Sequence, residues 1–324
     1  TKLFGIKCFI SFTRLAHCIY LPRMASTGEL SPEQLKRCLD EAVAAAQEAG
    51  NLMLECFARN DAQICIEEKA NPVDLVTKYD RQVEDLVLKR LRSAFPDFGV
   101  VAEETASKEP LTDKPTWVLD PIDGTTNFIH KQTECCILIG LALRKRAVLG
   151  VCFVPKLDEM YTAVQGQGAY CNGRRIRTSN CQDLKQAMVN THFTSYSRGQ
   201  KVVDRLMGVF QELMAYPVRA LRAGGSAGVD MMHVARGRQD AYFEVGIYPW
   251  DICAGVVIVE EAGGACIDTL GSSLDLTSRR ILAAASPALG EQVAACLRKH
   301  SFASLDAADY EGPPQAKKPR HDGD

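Results

Sequence analysis

Acidic side chains stand at the ends of three apolar segments of this sequence. Glu103 and Glu104 follow the first segment, Asp120 and Asp123 follow the second, and Asp251 opens the third. Gathering carboxylates at the ends of buried strands is costly unless a cation neutralises them. Oxygen ligands of this kind suit Mg2+, Ca2+ or Mn2+. The pattern therefore predicts a site for divalent metal ions.

The segment 120–126, Asp-Pro-Ile-Asp-Gly-Thr-Thr, can organise such a site. Pro121 fixes its own φ, and the turn can place the two aspartates on one side with the Ile122 carbonyl between them. Gly124 permits a close backbone approach or a positive φ. Thr125 then begins a predicted helix, whose free N–H groups favour an anion such as phosphate. The alternative, a turn rich in aspartate with no metal, leaves the other acids unexplained.

The elements that must position these acids change in type along the chain. Predicted helices come first, then mainly antiparallel strands, then alternating elements, which favours a layered α+β fold over a doubly wound parallel sheet. Ser31-Pro32-Glu33-Gln34 predicts a capped helix start. Further helices are predicted at about 77–95, 202–214, 227–235, 252–261 and 289–297. Strands are predicted at 117–119, 136–143, 148–154, 160–164, 169–170, 241–244 and 281–285.

Composition excludes some classes of protein. Of 324 residues, 46% are hydrophobic and 24% charged, which allows a sizeable core. The net charge of -2 argues against a nucleic-acid partner. Thirteen cysteines without a CxxC pair predict free, buried thiols and a cytoplasmic location. The apolar runs are too short to span a bilayer, so no membrane partner is expected.

The two ends of the chain lie outside the predicted catalytic domain, which covers residues 31–300. Residues 1–30 form an N-terminal extension. Its first 23 residues carry basic but no acidic side chains and are either a targeting sequence or non-native residues before Met24, and we favour the second. Residues 301–324 are predicted to be a disordered tail. The role of its basic cluster at 317–320 stays open between solvation and nuclear import.

Three motifs resemble those of the inositol monophosphatase family, a branch of the lithium-sensitive, metal-dependent phosphatases that includes fructose-1,6-bisphosphatase. The first signature is matched by 117–128, Trp-Val-Leu-Asp-Pro-Ile-Asp-Gly-Thr-Thr-Asn-Phe. The second is matched by 250–255, Trp-Asp-Ile-Cys-Ala-Gly, followed by 260–264, Glu-Glu-Ala-Gly-Gly. Residues 69–80 resemble a further family segment. The resemblance covers about 31–300 and implies a layered α-β-α-β-α sandwich.

The resemblance also implies a metal-binding role for particular residues. One Mg2+ would be held by Glu103, Asp120 and the Ile122 carbonyl, and a second by Asp120, Asp123 and Asp251. A weaker third ion would sit near Glu103, and Mn2+ or Ca2+ can also occupy the site. A water activated by the metal would attack phosphorus.

Catalytic roles follow from the same resemblance. Glu103, or Thr125 oriented by Asp80, would accept the proton of the attacking water. Lys69 would belong to a lid that reaches the metals. The alternative for Asp80 is an ordinary acid in the first turn of a helix, and for Lys69 a solvated loop residue.

Substrate contacts are implied at a further set of positions. The N–H groups of Gly124 and Thr125 would meet the phosphate, next to Asp123 and Asp251. Glu244 would accept hydrogen bonds from inositol hydroxyls, because a carboxylate reads a polyol well. The turn at Gly225, Ser226 and Ala227 would also contact inositol, and Ser195 lies in a loosely matched segment. The alternatives are a surface acid at 244 and a plain helix cap at 225–227.

The expected function is the magnesium-dependent hydrolysis of inositol monophosphates to inositol and phosphate by a lithium-sensitive homodimer. One alternative is a phosphatase for another small ester, such as a sugar phosphate or a phosphoadenosine phosphate. Another is a noncatalytic metal-binding scaffold on the same fold, but such a protein would be expected to lose a ligand such as Asp120.

Overall fold

A computed structural model describes residues 30–58, 66–68, 75–192, 200–215 and 218–301 of the chain. Lys69, Ser195 and both terminal segments lie outside these residues, so the predictions made for them stay predictions.

Helix α1 (Pro32–Ala58) and helix α2 (Lys78–Ala94) form the first layer. The predicted capping box at the start of α1 is present. The Gln34 amide donates to Ser31 Oγ at 3.2 Å, and the Ser31 amide donates to Gln34 Oε1 at 2.8 Å. A short antiparallel pair, β1 (Ile66–Glu68) and β2 (Leu75–Thr77), lies between the two helices in sequence.

A seven-stranded sheet forms the second layer. Its strands are adjacent in chain order and antiparallel after the first parallel pair. They are β3 (Gly99–Ala102), β4 (Thr116–Asp123), β5 (Cys136–Leu143), β6 (Arg146–Val154), β7 (Glu159–Val164), β8 (Gly168–Cys171) and β9 (Arg174–Arg175). The short helix α3 (Thr125–Ile129) follows β4. One face of this sheet packs on α1 and α2 through the Trp117 and Phe153 side chains.

The remaining elements build three further layers. Their bounds are β10 (Met188–Thr191), α4 (Gln200–Ala215), β11 (Ala220–Arg222), α5 (Ala227–Ala235), β12 (Ala241–Val245), α6 (Pro249–Glu261), β13 (Ala265–Ile267), β14 (Arg280–Ala284) and α7 (Pro287–Lys299). Helices α5 and α6 fill the space between the two sheets. The second sheet has the order β11-β10-β12-β14-β13, and its outer face packs on α4 and α7. The predicted layered α+β order, with five layers, is confirmed.

Helix α6 packs closely on the first sheet because two glycines face it. Gly140 on β5 and Gly150 on β6 are cross-strand neighbours. A Cβ added at Gly140 would lie 2.6 Å from Cys253 Sγ, and one at Gly150 would overlap the Ala254 carbonyl oxygen. The absence of side chains at these positions lets the backbone of α6 rest on the strands.

No helix among the described residues has the length and apolar character needed to cross a membrane.

Candidate active site

The end of β4 carries a β-bulge that separates two aspartates. Asp120 pairs with Leu138 of β5, and Asp123 pairs with Cys136, so three residue steps on β4 face two on β5. The Ile122 amide donates to Asp120 Oδ1 at 3.0 Å and closes the local turn. The sequence predicted strand only over 117–119. The strand continues to Asp123 because a bulge accommodates a proline that a regular interior strand would not.

Gly124 ends the bulge with φ of 86° and leads into α3. A Cβ at this position would lie 2.9 Å from the Glu134 carbonyl oxygen and 3.0 Å from Ser226 Cβ. Both the left-handed backbone and the crowding require glycine here.

Thr125 is the first residue of α3. Its hydroxyl lies 3.1 Å from the Ile122 carbonyl oxygen and 3.4 Å from Asp80 Oδ1. Asp80 belongs to the first turn of α2 and is buried. The threonine hydroxyl therefore lies between the carbonyl at the bulge and a buried carboxylate.

Glu103 reaches the same region from β3. Strand β3 runs parallel to β4, and the Glu103 amide donates to the Leu119 carbonyl oxygen at 3.2 Å, one residue before Asp120. The turn that follows is fixed by the buried Glu84 of α2. Its carboxylate accepts hydrogen bonds from the Glu104 amide at 2.8 Å and from the Thr105 hydroxyl at 2.5 Å.

Asp251 enters from the first turn of α6. Its Oδ2 accepts a hydrogen bond of 2.8 Å from the backbone amide of the N-cap residue Tyr248, which is the contact of a capping box. Its charge is one of those that raise the pKa of Asp120. The helix starts at Pro249 instead of the predicted Ile252, because proline fits the first helical position.

The acids raise one another's pKa. Burial raises the pKa of Asp120 well above its ordinary value, and the neighbouring charges of Glu103, Asp123 and Asp251 raise it further. The pKa of Asp251 is also raised well above the ordinary value, by burial and then by Asp123 and Glu103. The cluster is thus a region of concentrated negative charge that favours a cation.

Asp123 differs from the other acids because the start of α5 holds it. Its Oδ2 accepts a hydrogen bond of 2.5 Å from the Ser226 hydroxyl and one of 2.6 Å from the Gly228 amide. Burial raises its pKa, and these two donors act in the opposite direction. The turn that precedes α5 is also held at the site, because Asn127 of α3 donates a hydrogen bond of 2.8 Å to the Gly224 carbonyl oxygen.

Glu244 lies on β12, is 6% exposed and contributes to the field that raises the pKa of Asp251. Its Oε2 accepts a hydrogen bond from the Tyr242 hydroxyl and lies 3.0 Å from Nδ1 of His192. It is therefore a buried, anchored carboxylate next to the acid cluster, and the alternative of a surface acid is wrong for this residue.

Most of the predicted residues meet in one place. The structure brings together the ends of β3 and β4 and the starts of α2, α3, α5 and α6. These elements carry Asp80, Glu103, Asp120, Ile122, Asp123, Gly124, Thr125, Gly225, Ser226, Ala227 and Asp251. The turn at 225–227 does act as a helix cap, because Ser226 Oγ accepts from the Val229 amide at 3.2 Å.

Sequence reasoning missed three residues that support the site. Glu84 lies between Val83 and Val87 on the buried face of α2, so an acid on an apolar stripe was the available signal. Asp230 is a buried acid in the mainly apolar helix α5 and gives the same signal. Nothing local to His192 indicates its position beside Glu244, since that contact depends on how β10 and β12 pair.

The chemistry of the donor set fits a divalent metal. The candidate ligands are carboxylate oxygens and one backbone carbonyl, which are the donors that hard cations prefer. No three His, Cys, Asp or Glu side chains in the described part of the chain already converge as a metal site. The fit therefore rests on the donor type, burial and mutual repulsion of these acids.

Comparison with known proteins gives a consistent assignment. The family described as "Inositol monophosphatase family" matches residues 34–301. Human "Inositol monophosphatase 1" is 38% identical over 262 residues, which are 80% of this chain and 93% of that protein. Tomato (Solanum lycopersicum) "Inositol monophosphatase 2" is 39% identical over 254 residues, 77% of this chain and 94% of that protein.

A solved structure agrees with the fold. The Thermotoga maritima IMPase superposes with a TM-score of 0.72 at 30% identity and covers 82% of this chain and 98% of its own.

Proposed function

Because the chain belongs to the inositol monophosphatase family, we propose that it hydrolyses inositol monophosphates to inositol and phosphate with the help of divalent metal ions. The observation that carries this proposal is that Glu103 and Asp251 lie near enough to Asp120, at the bulge that ends β4, for their charges to raise the pKa of that buried acid. Three separate elements contribute these acids, and their mutual repulsion has no structural benefit without a cation.

Mg2+ is the proposed metal. Glu103, Asp120 and the Ile122 carbonyl would hold one ion, and Asp120, Asp123 and Asp251 would hold a second. Such ions, when bound, would polarise the phosphate and lower the pKa of a water molecule, so that the water could lose a proton and act as the nucleophile. The hydrogen bonds that already anchor Asp120 to the Ile122 amide and Asp123 to Ser226 fix the ligands' orientation.

The proton of the attacking water would pass to this chain's own acceptors. Glu103 is one candidate, because it follows β3 beside the Asp120 end of β4. Thr125 is the other, since its hydroxyl lies within reach of Asp80 and can pass the proton on. Lys69 would contribute from a lid above the site.

The phosphate would bind at the start of α3. The backbone N–H groups of Gly124 and Thr125 would donate to its oxygens, because the first amides of a helix lack partners within the helix. The left-handed φ of Gly124 supports this role, since it sets the direction in which these amides point. Asp123 and Asp251 would flank the bound ester.

The inositol ring would lie towards β12. Glu244 would accept hydrogen bonds from ring hydroxyls, and the turn at Gly225, Ser226 and Ala227 would border the ring. The proximity of Glu244 to Asp251 supports this arrangement, because a polyol ester reaches only a short distance from its phosphate.

Phosphate release from a substrate panel tests the proposal. Inositol 1-phosphate, fructose 1,6-bisphosphate and 3′-phosphoadenosine 5′-phosphate are compared by kcat/KM with Mg2+ and with a chelator. We expect metal-dependent turnover with inositol 1-phosphate preferred. Preference for another ester would refute the assignment of inositol phosphates as substrates. No phosphate release from any member of a wider monophosphate panel would refute the assignment as an enzyme.

Three further properties complete the proposal: a homodimeric state, inhibition by lithium and a cytoplasmic location. The ten described cysteines are all free, and nine are buried, which supports a reducing compartment. Solution mass, Li+ titration of activity and cell fractionation test the three properties separately.

A further inference from the structure

His192 lies immediately after β10, beside Glu244 of the neighbouring strand. Strands β10 and β12 are parallel, and Asn190 pairs with Tyr242 while Thr191 pairs with Phe243. Side chains two residues apart on a strand share a face. The register therefore sets His192 on the same face of the sheet as Tyr242 and Glu244, between the sheet and the layer of α5 and α6.

Both ring nitrogens of His192 meet carboxylates. Nδ1 lies 3.0 Å from Glu244 Oε2, and Nε2 lies 2.7 Å from Asp230 Oδ2. The imidazole side chain is 7% exposed, and Asp230 is 1% exposed. An imidazolium ring carries a proton on each nitrogen and can therefore donate to both carboxylates at once.

The charges around the ring agree with this protonation state. Burial alone would lower the pKa of His192, but Glu244 on β12 and Asp230 on α5 hold it well above its ordinary value. The Tyr242 ring packs against the imidazole at 5.4 Å, and its hydroxyl donates to Glu244. The charge of Asp123 on β4 also interacts with the imidazolium.

Asp230, which contacts Nε2 of the histidine, is itself held in place. Asp230 Oδ1 accepts a hydrogen bond of 2.6 Å from Asn190. Asp230 lies in the first turn of α5, whose cap Ser226 donates to Asp123. His192 thus links Glu244 to the helix start that holds a proposed metal ligand.

We propose that His192 is a positioning residue that fixes the orientation of Glu244 through Nδ1 and thereby sets the preference for polyol phosphates over esters without hydroxyl groups. This inference rests on the proposed function. Glu244 accepts hydrogen bonds from substrate hydroxyls only if its carboxylate is directed at them, and a buried donor on Oε2 limits its rotation.

Two amide variants separate the two hydrogen bonds of the ring. The side-chain nitrogen of His192→Asn occupies nearly the place of Nδ1 and can still donate to Glu244. That of His192→Gln occupies nearly the place of Nε2 and can still donate to Asp230. Both variants lose the positive charge, so a difference between them reports which hydrogen bond matters.

The measurement is kcat/KM for inositol 1-phosphate relative to 4-nitrophenyl phosphate, which has no polyol. We expect His192→Gln to lower this ratio about tenfold to a hundredfold, mainly through a higher KM for inositol 1-phosphate. His192→Asn should retain most of the ratio. In a Glu244→Gln background the further effect of His192→Gln should vanish, because the two residues act as a unit.

Other outcomes overturn the inference. Equal losses for both substrates in both variants would show a merely structural role, as would an unchanged ratio in His192→Gln. Thermal unfolding of each variant identifies a loss of fold. If His192→Gln does not fold, the test is whether His192→Asn keeps the wild-type ratio of kcat/KM values. Wild-type protein without turnover of inositol 1-phosphate would overturn the proposed function together with this inference. If the wild-type protein turns over inositol 1-phosphate normally, then equal losses in both variants, or an unchanged ratio in His192→Gln, would overturn this inference alone.

Discussion

The hydroxyl of Ser226 donates a hydrogen bond of 2.5 Å to Oδ2 of Asp123, and these residues lie 103 positions apart in the chain. The contact joins the start of α5 to the bulge of β4. Because the Gly228 amide donates to the same oxygen, two donors fix the carboxylate before any substrate arrives. The serine also caps its own helix through the Val229 amide, so one hydroxyl serves the fold and the site.

Replacing Ser226 with alanine should weaken metal activation. We expect the Mg2+ concentration for half-maximal activity to rise about tenfold or more, as is usual when a group that orients a metal ligand is lost. The lost cap should also lower the free energy of unfolding by about 1 kcal/mol. Activity against Mg2+ concentration and thermal unfolding measure the two effects.

Ser286→Ala is the matched control. Ser286 is buried and caps α7 with the same 3.2 Å contact, here from the Leu289 amide, but its hydroxyl donates to the Cys181 carbonyl oxygen and not to an acid. It should lower stability similarly while leaving the Mg2+ midpoint unchanged. Equal midpoints in both variants would contradict the orienting role of Ser226.

Asp120→Asn should abolish turnover without unfolding the protein. Asparagine keeps the oxygen that accepts from the Ile122 amide, and it removes a buried charge that three other acids repel. We expect kcat to fall about a thousandfold, equivalent to several kcal/mol of transition-state stabilisation. In the presence of a chelator the variant should unfold at the same temperature as wild type or higher.

Asp268→Asn provides the contrast for that experiment. Asp268 is buried too, but it pairs with Arg280 at 3.0 Å. Its replacement should lower the unfolding temperature and preserve Mg2+ activation, because it leaves the arginine without its partner. Near-normal turnover of Asp120→Asn would refute the proposed bridging role.

Gly124→Ala should damage both stability and activity. The residue has φ of 86°, and the added Cβ would crowd the Glu134 carbonyl and Ser226. Gly166→Ala tests backbone conformation alone, since φ is 79° and no atom lies within 4 Å of its added Cβ. We expect a loss of about 1 kcal/mol for Gly166→Ala and clearly more for Gly124→Ala, measured by denaturant unfolding. Similar losses would show that crowding at Gly124 is relieved.

Acid should remove the stabilising effect of Glu159. Burial would raise its pKa, but hydrogen bonds from Arg238 and Tyr161, with the nearby charge of Arg236, hold it below the ordinary 4.5. A carboxyl with a lower pKa in the folded state stabilises the fold above its unfolded pKa, and this contribution is lost as pH falls through the folded value.

Glu159→Gln should therefore unfold at a lower temperature than wild type at pH 7, and the difference should shrink as the pH falls below about 4.5. Glu291→Gln, which disrupts an exposed pair with Arg298, should show little difference at either pH. A difference for Glu159→Gln that stays constant down to pH 3 would rule out this origin of the stabilisation.

Local chemistry predicts much of the fold. The cap at Ser31, the apolar periodicity of α1 and α2 and the continuous apolar runs of β5 and β6 are short-range signals, and the elements they predict are present. The predicted start of α6 at Ile252 is three residues late, because the helix begins at Pro249 and proline fits the first helical position.

The sequence predicts which residues are candidate metal ligands. It does not predict which residues hold those side chains in place. The acids follow apolar strands, so their positions can be read from the chain. The support given to Asp123 by Ser226, and to Glu244 by His192, depends on sheet order and on the register of parallel strands. These long-range pairings leave no trace in local spacing.

The two glycines that contact α6 also determine where Asp251 lies relative to the other acids. Asp251 is carried on the first turn of a helix whose backbone touches Gly140 and Gly150. A methyl group at either position would raise the helix and shift a proposed ligand away from Asp120. Such a substitution lies in the middle of the sheet and adds no reactive group. Its first measurable effect would nevertheless be a higher magnesium requirement for activity.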